Sequence, residues 1–169
     1  NTPLEKTMYA AFERLGPPQF DEADRAYAKQ IQSTLSPEDI TSAYRRVGMT
    51  VKPNTPLSDE IVPLDAKGAP MMGSTDVGDV SWVTPTAQCW VACYAFGTPF
   101  HSWQMVSQGK TAIARAGMRH AAKAMSSTAI RLFEEPALLA QAREELNGRR
   151  GGKPYACPIP PDAPLPLGR

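Results

Sequence analysis

The run Cys89-Trp90-Val91-Ala92-Cys93-Tyr94-Ala95-Phe96 constrains the fold more than any other stretch of the chain. It is apolar on both faces and rich in aromatic and β-branched residues, the pattern of a strand covered on both sides. A strand over about 88–96 requires a sheet and covering helices. The expected class is therefore α/β, a sheet flanked by helices. Gly97-Thr98-Pro99-Phe100-His101-Ser102-Trp103-Gln104 follows at the strand's exit, where open α/β sheets place ligands and metals.

Helical patterns precede and follow this run. Thr2-Pro3-Leu4-Glu5 reads as a helix start with threonine as the cap and proline at the first helical position. Leu4, Met8, Ala11, Phe12 and Leu15 then recur at helical spacing over about 3–15, until Gly16-Pro17-Pro18 stops them. Asp21 opens a second helix, about 22–35, with Ala23, Tyr27, Ile31 and Leu35 on one face. Ser36-Pro37-Glu38-Asp39 opens a third, about 37–47, ended by Gly48.

Residues 49–72 lose periodicity and carry Pro53, Pro56, Pro63 and Pro70, which predicts a long loop with a short strand near Ile61-Val62. Beyond His101 an alanine-rich pattern predicts a helix over about 110–133. Ile113, Gly117, Ala121, Ala124 and Ile130 form a flat face suited to lie close to a sheet. Pro136 begins a last helix, about 136–148, and the proline-rich tail 153–169 reads as an extended strap over the surface.

The chain of 169 residues, 42% hydrophobic, has the length of one domain. Eighteen basic residues against 17 acidic ones create no global field, so charge gives no argument for nucleic acid or an acidic membrane as partner. No apolar run approaches the roughly 20 residues of a membrane-spanning helix, so the chain reads as soluble. Cys89, Cys93 and Cys157 fit neither a disulfide framework nor a CxxC motif. They predict reduced thiols and a cytoplasmic location. The start on Asn1-Thr2-Pro3, with a helix beginning at once, reads as a piece of something longer.

The chemistry falls into two half-sites. On residue type alone His101 reads as a hydrogen-bonded rim residue, with metal ligation and general-base roles as alternatives. Ser102 beside it does not make a triad, and no GxSxG elbow is present. Zinc needs three or four protein ligands, and no HExxH or His-x-Asp cluster supplies the others. His120 sits within the long helix and reads as a surface or interface residue. The second half-site is Gly73-Ser74-Thr75-Asp76, a small-residue turn opening into a helix, where backbone amides can meet a substrate carboxylate or a developing oxyanion. Asp76 and Asp79 read first as helix caps.

Taken together, the 73–82 motif Gly-Ser-Thr-Asp-Val-Gly-Asp-Val-Ser-Trp, Pro85-Thr86, the apolar run and the 97–104 motif resemble the dinuclear-zinc aminoacylase/carboxypeptidase amidohydrolases. The resemblance spans most of the chain. It implies that residues 1–169 are the C-terminal segment of a zinc-dependent exopeptidase/aminoacylase-type catalytic domain. His101 would be a metal ligand, with Gly73, Ser74, Thr75 and Asp76 bordering the substrate pocket. The implied cofactor is a divalent metal, zinc or manganese, two ions in the complete site. The implied partners are a small N-acyl amino acid substrate, the upstream part of the same enzyme, and further subunits in a homo- or hetero-oligomer. The implied reaction is amide hydrolysis, with no catalytic residue in this chain and the chain alone inactive. A non-catalytic regulatory or assembly module that keeps the fold is the alternative.

Overall fold

The computed structural model describes residues 1–52, 54–70, 73 and 75–164. Seven helices account for all regular structure among them: α1 (Thr2–Leu15), α2 (Glu22–Gln32), α3 (Pro37–Val47), α4 (Val77–Val83), α5 (Trp103–Gln108), α6 (Ala112–Glu134) and α7 (Pro136–Arg150). No strand occurs among the described residues, which overturns the α/β expectation with its sheet flanked by helices. The short strand expected near Ile61-Val62 is likewise irregular chain.

The reason lies in the backbone of 88–96. A strand exists only when a neighbour accepts and donates along its length. Here the Phe96 N–H donates to the Pro56 carbonyl at 2.8 Å, and the Ala95 N–H donates to the Gln108 side chain at 2.6 Å. The segment is an irregular connection, and Trp90 within it is 64% exposed. Its aromatic and β-branched composition reports side chains that suit a pleated surface, not a backbone that must form one.

Local signals place the helix ends. Asp21 and Ser36 each cap a helix with a reciprocal box, through Asp24 and Asp39. Gly48, at φ 70°, ends α3 in the left-handed conformation that glycine adopts without steric cost. Asn1, not Thr2, caps α1, its side chain accepting from the Leu4 N–H. α2 closes at Gln32, short of the expected 35; α6 lies over the alanine-rich pattern, and the short α5 before it, ended by Gly109, was not expected.

α1 packs on α6 and α7. Gly117 is what lets α6 receive the 88–96 segment: a Cβ there would collide with the Ala92 carbonyl and the Cys93 sulfur. The flat face of α6 therefore meets α1 and an irregular backbone instead of a sheet, and Ile130, expected on that face, is exposed. A second core gathers Ala28 and Ile31 of α2, Leu57 of the long loop, Ala95 and Ile113, with Phe20 and Tyr27 packed against it. The tail is tied down where the Tyr155 hydroxyl donates to Asp79 of α4 at 2.7 Å.

Candidate functional site

His101 sits on a turn braced from two sides. Gly97, at φ 94°, passes so close to α3 that a Cβ would lie 2.9 Å from Ile40 Cγ1. The buried Gln108 side chain then holds the turn. Its oxygen accepts from the Ala95 N–H, and its nitrogen donates to Thr98 Oγ1 at 3.1 Å and to the Gln104 carbonyl at 2.9 Å. Thr98 Oγ1 in turn donates to the Ala95 carbonyl at 2.7 Å. From α2, Gln32 donates to the carbonyls of Thr55 and Phe96. Sequence reasoning passed over both glutamines. The one available hint for Gln108 was its place at the end of a short polar run before Gly109.

This bracing holds His101 itself at φ 58°, a left-handed conformation that costs a residue with a Cβ about 1 kcal/mol. The imidazole is exposed. Ser102 is engaged as the cap of α5: its oxygen accepts from the Met105 N–H at 3.2 Å, and its hydroxyl donates to the Pro99 carbonyl at 2.8 Å. A hydroxyl spent on capping, with no imidazole bonded to it, lacks the arrangement of an activated nucleophile.

In the second half-site, Ser74 falls outside the described residues; Gly73, Thr75 and Asp76 are exposed. Thr75 Oγ1 accepts from the Val77 N–H at 3.2 Å, whereas Asp76 makes no side-chain cap and Asp79 accepts from Tyr155. No hydrogen bond or ion pair among the described residues joins the 73–76 turn to His101. No group of three or more His, Cys, Asp or Glu side chains among them is placed to hold a metal ion. Zinc takes three or four protein ligands, so the described residues do not by themselves assemble the implied dinuclear centre.

His120, on α6, is buried against α1 with its ring 5.9 Å from Phe12, and its Nε2 has no hydrogen-bond partner among the described residues. It is an interface histidine. Burial pushes the Cys89 and Cys93 thiols up, so both are protonated near neutral pH and behave as small apolar groups. No helix of the described residues is long and apolar enough to cross a membrane.

Across 99% of its length, in an alignment of 178 positions, the chain is 41% identical to a protein of Escherichia coli (strain K12). That relative is a subunit of p-aminobenzoyl-glutamate hydrolase. The resemblance carried by the 73–82 and 97–104 motifs is to this same protein. The chain spans 37% of the length of this p-aminobenzoyl-glutamate hydrolase subunit. No family model matches the chain, and no solved structure matches it.

Proposed function

We propose that the chain is the C-terminal part of a metal-dependent amidohydrolase that cleaves the amide bond of a small N-acyl amino acid such as p-aminobenzoyl-glutamate. The observation that carries this reading is the 41% identity, over nearly all of the chain, to a subunit of a hydrolase named for that substrate. The strained turn at His101 supports it. Backbone strain kept in place by surrounding hydrogen bonds is a feature of functional positions, and here two glutamines from separate helices hold it.

In this reading His101 offers a nitrogen to a divalent metal, zinc or manganese, whose remaining ligands come from outside these residues. The resident two-ion centre would supply a water activated near neutral pH. The part this chain plays is positional: Gln108, Gln32 and Ser102 fix where the imidazole is presented, and the Gly73–Asp76 turn borders the substrate. The chain works joined to an upstream portion and within an oligomer, as a relative named a subunit suggests, in the cytoplasm.

Exchange of His101 for alanine in the complete enzyme is expected to remove one metal equivalent and at least about 99% of the turnover of p-aminobenzoyl-glutamate, since loss of one transition-state contact of this kind costs roughly a hundredfold. Full metal content with unchanged turnover overturns the assignment. The absence of a donor cluster among the described residues favours a second reading, a non-catalytic assembly module with this fold. An intact protein with neither metal nor turnover would establish that reading.

A further inference from the structure

A cavity of about 460 Å³ opens between α1, the end of α3, the 58–68 part of the long loop and residues 88–100. Its volume falls in the range of small-molecule sites. Neither His101 nor the described part of the 73–76 turn lines it, whereas Gly97, Thr98 and Phe100 of the turn that carries His101 do.

The wall is apolar and aromatic. Met8 and Phe12 come from α1, Ile61 and Leu64 from the loop, and Trp90 and Phe100 from the far side, with their ring centres 5.9 Å apart. Tyr94 meets Phe100 edge-on at 6.3 Å. Three charged side chains reach the cavity: Glu5, Arg46 and Glu60. Glu60 is paired with Lys52, whereas Arg46 has no ion-pair partner among the described residues.

Arg46 is also held in place. Its guanidinium stacks on Phe100 at 4.9 Å from the ring centre. Its backbone is pinned where Gly68 comes against the Arg46 carbonyl so closely that any Cβ would collide, and the Ala69 N–H donates to the Arg45 carbonyl at 3.1 Å. A half-buried, stacked guanidinium keeps a planar fork of donors free for a planar, two-oxygen acceptor. We propose that this cavity binds an aromatic carboxylate, with Arg46 gripping the carboxylate and Phe100, Trp90 and Phe12 holding the ring. The site stands whether or not the chain takes part in hydrolysis.

Isothermal titration calorimetry on the 169-residue protein tests this, with benzoate as probe and benzamide as its neutral, near-isosteric control. Benzoate is expected to bind saturably, and benzamide at least about tenfold more weakly, since a hydrogen bond to a charged group is worth more than a factor of ten. Arg46→Gln should lose the preference for benzoate, and Arg46→Lys should keep part of it. Circular dichroism verifies the fold of each variant. If the Arg46 variants fail to fold, the benzoate against benzamide comparison on the unaltered protein decides. No saturable binding of benzoate, equal binding of the two probes, or an Arg46→Gln protein with unchanged affinity overturns the proposal.

Discussion

Gln108 does more for the His101 turn than any residue of the turn itself. It is buried, and it meets a backbone donor, a hydroxyl and a carbonyl with one amide group. Gln108→Leu keeps the volume but leaves the Ala95 N–H and the Gln104 carbonyl without that partner, a loss of about 1–3 kcal/mol per stranded buried group. Chemical denaturation should show a loss of that size, and an unchanged midpoint would mean the turn is held by other contacts. Tyr155 is a second case. Its hydrogen bond to the Asp79 carboxylate favours the protonated phenol and pushes its pKa up to about 12. Because the folded value lies above the ordinary phenol value of about 10, the stabilisation is complete below that pH and disappears as pH rises through about 12. Ultraviolet titration of the tyrosines should show one phenol ionising near 12, and Asp79→Asn should return it to the ordinary range. Neither residue is readable from sequence, since both act across chain separations that no local pattern encodes. His101 stood out in the sequence because it follows the run read as a strand and belongs to a motif that carries the family resemblance; its strained φ was not legible.

Elements were legible where their determinants are local. Asp21 and Ser36 announce α2 and α3 because a capping side chain and the amides it serves lie within three residues of each other. The apolar run 89–96 misled for the opposite reason: whether such a run becomes a strand depends on a partner elsewhere in the chain. What the run meets instead is α6, at Gly117. Gly117→Ala should cost about 1–3 kcal/mol, because the methyl must displace the Ala92 carbonyl or shift the helix. Thermal melts of that variant against Gly148→Ala, a helix position where a Cβ meets nothing within 4 Å, separate packing from propensity. Equal or higher stability of Gly117→Ala would contradict the close approach.

At the scale of the whole molecule, α1, α6 and α7 form one packed group, while α2, the long loop, Ala95 and Ile113 form another, with α6 in both. His101 lies on the turn that follows Ala95, which ties the candidate metal ligand to the second group. The long loop belongs to that group as fully as any helix, for Leu57 is completely buried and the Pro56 carbonyl receives the Phe96 amide. A proline-studded connection of this length is where an engineer would insert a tag or a protease would be expected to nick without harm. Here either cut would draw the plug from the core beneath His101, so the stretch that looks most expendable is among the least replaceable.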